Sequence, residues 1–267
     1  METLIETIRY VAASQQSLPF SVYTSVKEQH IVNVPIVKPL LICILSGNKK
    51  LGRQGEIICP FQSFVFLSNN PTIDMRNIPS DGEYFALLVE FEDSDFDCLP
   101  ASVDNVVTPL IQGSINGVLE NTLQQFVEWS ATALPAMWHI RRQEILQVLF
   151  YLGYHQITSA YISSNISYRL HKLISQDITQ KMGITQFASA LAMSESTLRR
   201  KLHSEGLSFQ SIKENVRLGH GLHLLQSSRI SIGAVAEQCG YHSPSRFTQK
   251  FKQLFGVTPS ELRKTRA

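Results

Sequence analysis

Two short stretches of the chain hold side chains whose types and spacing suit the reading of nucleic acid. In the first, Leu198 and Leu202 fall four residues apart and mark the inward face of a helix. Glu195, Ser196, Arg199, Arg200 and His203 then point outward, with Thr197 and Lys201 flanking. The planar fork of arginine matches O6 and N7 of guanine together, and three consecutive cations also suit phosphates. In the second stretch, Phe247 and Phe251 set the inward face and leave Pro244, Ser245, Arg246, Thr248, Gln249 and Lys250 outward. Gln249 has the groups to pair with adenine through two bonds, whereas Arg246 and Lys250 suit phosphate equally well. For either stretch taken alone, a solvated helix face is the alternative.

The elements that must position these side chains nearly repeat along the chain. Aligning the two copies matches Ile184 with Ile232, Phe187 with Val235, Ala188 with Ala236 and Leu191 with Cys239. Each copy predicts a short helix, a tight turn, an N-cap serine (Ser194, Ser243) and a second helix. Pro244 follows its cap at the first helical position, where a missing N–H costs nothing. Between the copies, Ile212, Val216, Leu222 and Leu225 predict one amphipathic helix over Phe209 to Gln226. The second helix of such a unit lies in the major groove, so two units joined by a helix would address two groove segments.

Charge divides along the same line. Residues 1–175 hold 11 Lys+Arg against 16 Asp+Glu, a net −5, and the remainder holds 13 against 6, a net +7. A basic domain joined to an acidic one suggests a polyanionic partner at one end. At 267 residues and about 150 residues per domain, two domains are expected, 1–160 and 161–267. The 43% hydrophobic and 17% charged content argues against disorder. The longest apolar stretch, Leu40 to Leu45, is far short of the roughly 18 residues of a membrane helix, and Glu2 and Glu6 stand where a signal peptide would be basic. Cys43, Cys59, Cys98 and Cys239 lie far apart without a C-x-x-C pair, so a reducing cytoplasm is the expected location and no membrane the expected setting.

From Ile31 to about Glu92 the text is strand-like, with short Ile, Val, Phe and Leu runs between turn signals, which predicts a small barrel or sandwich. Two helical stripes follow: Leu119, Leu123, Phe126 and Val127, then Ile140, Ile145, Val148, Leu149 and Leu152. They serve either to cover the barrel or to join two subunits. The Ser-rich stretch Thr158 to Asn165 reads as the linker. His30 is the only histidine in the strand region, so the H-x-H set that a metal-dependent enzyme of this shape needs is missing, and neither a metal nor a cofactor nor a catalytic residue is expected. Phe64, Phe66, Tyr84, Phe85 and Phe91 are candidates for an effector pocket or for plain core. Lys49, Lys50 and Arg53 would bind an anionic effector or form a basic hairpin tip. Cys43 and Cys59 would sense oxidants if exposed and would be inert if buried.

The segment from Ser231 through Gly240-Tyr-His-Ser-Pro-Ser-Arg-Phe247 and Gly256-Val-Thr-Pro259 to Arg263 resembles the signature of the AraC/XylS family of transcription regulators. The likeness extends back through Arg217 and Gly206-Leu-Ser-Phe209 to about Ile166. It implies a DNA-binding domain of two helix-turn-helix units, double-stranded promoter DNA as partner, and activation through contacts with RNA polymerase. The family's base-contacting positions fall on Ser196, Arg199 and Arg200 in the first unit and on Pro244, Ser245 and Gln249 in the second. Two departures stand out. Gln249 replaces a usual Arg, and Gly221, beside Gly219, replaces a usual Ala in the joining helix. Each glycine costs a helix about 0.5 to 1 kcal/mol relative to Ala, which predicts a more pliable helix.

Leu41 to Lys50 and Phe64 to Pro71 resemble the cupin-like N-terminal domain of some such regulators. That likeness implies a domain that senses a small-molecule effector, forms a homodimer, or both. The fold expected is therefore α+β, a cupin-like β-barrel with two packing or dimerisation helices followed by an all-α domain of two helix-turn-helix units. The alternatives are a cupin-type small-molecule enzyme, or a ligand-sensing protein-interaction module with an accessory helical domain.

Overall fold

A computed structural model describes residues 1–267 except 15–16, 37, 69, 101–107, 160–164, 180–181 and 267. The strands of the N-terminal part are β1 (Ser21–Ser25), β2 (Gln29–Ile36), β3 (Leu40–Ser46), β4 (Asn48–Leu51), β5 (Ile57–Cys59), β6 (Ser63–Leu67), β7 (Asn70–Ile78), β8 (Tyr84–Glu90) and β9 (Leu110–Ser114). They form two antiparallel sheets, ordered β1-β8-β3-β6-β9 and β2-β7-β4-β5, which share an apolar layer and do not close into one cylinder. Gly47, at φ +74°, carries the chain from β3 in one sheet to β4 in the other; a β carbon there would lie 2.5 Å from the Ile78 carbonyl oxygen.

The five-stranded sheet is buried on both faces, which is why Leu40 to Leu45 is apolar without alternation. On one face Leu41, Cys43, Phe64, Phe66, Phe85 and Leu87 meet three helices, α1 (Glu2–Ser14), α2 (Gly117–Ser130) and α3 (Trp138–Tyr151). On the other, Ile42, Ile44, Val65 and Ala86 face Ile31, Leu51 and Met75 of the second sheet. The stripes on α2 and α3 are used inside the fold: Leu119, Leu123, Phe126, Val127, Ile145 and Leu149 are completely buried. Covering the sheet is thus the role of these stripes, while Ile140, read as part of the second, is exposed beside Leu134 and Met137.

The remaining helices are α4 (Ile166–Gln176), α5 (Ile184–Ala190), α6 (Glu195–Ser204), α7 (Phe209–Ser227), α8 (Ile232–Gln238), α9 (Pro244–Phe255) and α10 (Pro259–Arg263). Most of the predicted linker lies outside the described residues; Ser159 ends a 3-10 turn and Asn165 precedes α4. Two apolar cores divide α7 between them. Ile212 and Val216 join Leu170, Phe187, Leu198 and Leu202 in the core of the first helix-turn-helix unit. Leu218, Leu222 and Leu225 join Val235, Phe247, Phe251 and Phe255 of the second, and that core runs on into the layer between the sheets.

The reason is the placement of α7. It lies against β1 and β2, the outer strands of the two sheets, where an open sandwich would leave edges unpaired. Polar contacts follow the same line. Tyr23 Oη lies 3.3 Å from His223 Nδ1, the Val26 N–H donates to the Thr265 carbonyl at 2.8 Å, and Asn33 Nδ2 donates to the Leu254 carbonyl near the end of α9 at 3.1 Å. This docking explains Gly219, and the packing of α7 on the second unit explains Gly221. A β carbon at Gly219 would lie 3.0 Å from Pro35 Cγ, and one at Gly221 would lie 2.9 Å from the Phe247 ring and 3.1 Å from Cys239 Sγ. Close approach, not pliability, is what these positions require, and α7 is continuous through them.

Candidate nucleic-acid interface

Each recognition helix is fixed at its start by a serine. Ser194 Oγ accepts the Thr197 N–H and Ser243 Oγ accepts the Arg246 N–H, which satisfies one orphan donor in each helix. The turns before them are built alike: the Met193 N–H donates to the Ala188 carbonyl at 3.0 Å and the Tyr241 N–H to the Ala236 carbonyl at 2.9 Å. The left-handed residue of that turn is Ala192 (φ 56°) in one unit and Gly240 (φ 74°) in the other. The sequence repeat is thus a geometric repeat. Ala188 and Ala236 are buried where the paired helices meet, as their size predicts.

The inward and outward faces fall as the spacing requires. Leu198, Leu202, Phe247 and Phe251 are buried. Ser196, Arg199, Arg200 and Lys201 are exposed on α6 with Thr197 half-buried, and Pro244, Ser245, Arg246 and Gln249 are exposed on α9 with Thr248 and Lys250 half-buried. The cations differ in availability. Arg199 pairs with Glu195 one turn earlier, Nη2 to Oε1 at 2.8 Å, and Thr185 and Arg199 together hold the Glu195 carboxyl below the usual range by hydrogen bonding. Arg200 has no ion pair among the described residues. Lys250, expected to face outward toward phosphate, instead pairs with Glu214 of α7 at 3.0 Å.

Between α7 and the second unit lies a cleft of about 910 Å³. Lys213, Glu214 and Arg217 of α7 form one side, and Tyr241, His242 and Arg246 of the second unit form the other. Sequence reading found Arg217 only through the family likeness and did not find Lys213 or Glu214. Their spacing on one polar face of α7 was the available signal.

The N-terminal candidates are distributed differently from the expectation. Phe64, Phe66, Phe85 and Phe91 belong to the helix-facing core, where Phe66 stacks on Phe91 at 5.5 Å and Phe64 meets Tyr154 edge-on at 4.9 Å. Tyr84 lies on the opposite face of the same sheet. The five therefore do not line one pocket, because neighbouring strand residues such as Tyr84 and Phe85 point to opposite sides. Cys43 and Cys59 are buried and burial pushes both thiols up, Cys59 to about 11, which suits the inert reading.

Lys49, in contrast, is inside the fold. Register aligns Gln29, Asn77, Lys49 and Cys59 as one row across the four-stranded sheet, and all four are buried. Lys49 Nζ donates to Asn77 Oδ1 at 2.6 Å and sits 5.5 Å from the centre of the Tyr84 ring. Asn77 Nδ2 donates to Gln29 Oε1 at 2.9 Å, and Gln29 Nε2 donates to Thr265 Oγ1 at 2.7 Å, so the row ends in the C-terminal domain. Burial lowers the lysine pKa to about 8. No carboxylate pairs with it among the described residues, and Tyr84 Oη and Ser25 Oγ are buried without partners.

Comparison with known proteins places these observations. Residues 187–265 match the family described as "Helix-turn-helix domain". The chain is 33% identical over 107 residues to the virulence regulon transcriptional activator VirF of Shigella flexneri, covering 39% of this chain and 41% of VirF. It is 34% identical over 106 residues to the transcriptional regulator GadX of Escherichia coli, covering 40% of this chain and 39% of GadX. The matched region thus spans about two fifths of these relatives. Over nearly the whole length, the fold resembles ToxT of Vibrio cholerae in its structure with a bound unsaturated fatty acid, with a TM-score of 0.69, 18% identity, and coverage of 95% and 97% of the two chains. No helix among the described residues is long and apolar enough to cross a membrane. Residues 187–265 of this chain are thus a helix-turn-helix domain related to those of VirF and GadX, set on an N-terminal β-sheet domain, and the whole shares its fold with ToxT.

Proposed function

We propose that the chain is a sequence-specific DNA-binding transcriptional regulator, an activator, composed of a sensor domain over 1–160 and a DNA-binding domain over 161–267. The observation that carries this reading is the geometric repeat: two capped recognition helices, each anchored by a buried apolar pair and presenting polar side chains to solvent, in the C-terminal segment with net charge +7. In this reading Ser196, Arg200, Ser245 and Gln249 face base edges, while Thr197, Lys201, Arg246 and Thr248 hold phosphate or flank the contacts. Arg199 joins the readers when its pair with Glu195 opens. RNA polymerase is the second partner, the cytoplasm the location, and the molecule has no catalytic role.

The sensor reading draws on ToxT, whose structure holds an unsaturated fatty acid, and on the buried Lys49 of this chain. A small carboxylate would supply the counter-charge that Lys49 lacks and accept from Tyr84 Oη. The exposed Leu134, Met137 and Ile140 are the apolar surface for a homodimer. The deciding experiment is selection from a random DNA library by the full-length protein at about 0.15 M salt, which screens non-specific attraction. Enrichment of two base blocks about one helical turn apart is the expected result. No enrichment, with or without added fatty acids, would refute the reading.

A further inference from the structure

Among the described residues the two helix-turn-helix units share no apolar layer; the first has its own core, and the second belongs to the core of the sandwich. What relates their poses is therefore α7 and the polar side chains that leave it on both sides of the cleft. Toward the first unit, Lys213 Nζ donates to the Met182 carbonyl at 2.9 Å and Arg217 Nε to the Ile178 carbonyl at 3.2 Å. Toward the second, Glu214 pairs with Lys250 in the middle of α9 at 3.0 Å. Arg217 also lies flat against the turn of the second unit, where a β carbon on Gly240 would be 3.1 Å from its Nη2. One guanidinium thus touches the approach to one unit and the turn of the other.

We propose that Arg217 and the Glu214–Lys250 pair are positioning residues that fix the angle and distance between the two recognition helices, and so set which separation of base blocks the protein accepts. This rests on the DNA-binding reading above. None of the three needs to touch a base. Lys250 serves as a strut from the joining helix, which removes it from the set of phosphate contacts. Spacing is a sensitive quantity, because one inserted base pair moves the second block by about 3.4 Å and turns it by about 35°.

The test uses full-length protein and the selected sequence, in competition binding against probes with one or two base pairs added or removed between the blocks. Wild type should prefer its native spacing sharply. Glu214→Gln and Lys250→Gln should each bind the native probe nearly as well and reduce the preference over the probes with one pair added or removed by about three- to fivefold, the scale of a partly exposed ion pair. The double variant should lose no more than either single one. Arg217→Lys keeps the charge but loses the fork, and should blur the spacing as well. Unchanged spacing profiles would overturn the proposal, as would a uniform loss of affinity at every spacing for Lys250→Gln alone, which would mark that lysine as a phosphate contact. Failure of wild type to bind any selected sequence would instead refute the DNA-binding reading itself.

Discussion

Replacing Lys49 with Met tests the polar row inside the sandwich. Burial lowers the lysine pKa from its usual 10.5 to about 8 in the folded protein. Between these values the unfolded chain carries a proton that the folded chain does not, so stability rises with pH across that window. At about 1.4 kcal/mol per pKa unit, holding the ammonium costs the fold about 3 kcal/mol at pH 7 and about 1.4 kcal/mol at pH 9.5. Met carries no proton, so wild-type stability measured against Lys49→Met should increase by about 2 kcal/mol between those pH values. Losing the 2.6 Å bond to Asn77 shifts the variant by a constant, about 1 to 3 kcal/mol, which drops out of the pH dependence. Urea unfolding of both proteins at several pH values, followed by tryptophan fluorescence, gives the difference directly. A difference flat to within about 0.5 kcal/mol would mean that Lys49 keeps an ordinary pKa, and the argument for an uncompensated buried charge would fail.

Three further outcomes follow from the interface and the core. Arg200→Ala should cost about 1 to 3 kcal/mol of binding and relax preference at one base position, whereas Lys252→Ala, which removes an exposed cation in the last turn of α9 suited to phosphate, should weaken all sequences alike; equal loss on selected and random DNA for Arg200→Ala would remove it from the readers. Gly221→Ala gains about 1 kcal/mol of helix propensity yet forces a β carbon to 2.9 Å from the Phe247 ring, so thermal unfolding should show a net loss of about 1 kcal/mol or more. A stabilised variant would contradict the close-approach account. If about six to eight of the 13 C-terminal cations meet phosphate, log affinity should fall with log salt at a slope of about −5 to −7 in titrations of the selected site. A flat response would contradict that footprint.

The helix-turn-helix units were legible because their signals are local: an apolar pair four residues apart, a serine cap, and the same order twice. The apolar run at Leu40 to Leu45 likewise read as a strand, although its burial on both faces emerged only with the helices and the second sheet that cover it. Other features depend on partners distant in sequence. Helix α1 carries Leu4, Ile8 and Val11 at helical spacing, but in the sequence only the charges of Glu2 and Glu6 were weighed there. Lys49 was read by its charge, as an anion site or a hairpin tip, although its alternation with Leu51 places both on the inner side of β4. The glycines of α7 looked like weak points because the groups that need them, Pro35 and Phe247, lie far from them in the sequence. That the second unit would merge with the sandwich follows from which strands stand at the sheet edges, and periodicity does not encode that.

The placement of α7 along β1 and β2 has a mechanical consequence. The joining helix of the helix-turn-helix domain is also a wall of the N-terminal β-sheet domain, so a change in the separation of the two sheets would move the frame that carries both second helices. Information between the domains need not travel along the covalent connection from Ser159 to Asn165. A chain severed there would remain one body, held by the shared apolar layer and by Tyr23, Val26, Gln29 and Asn33.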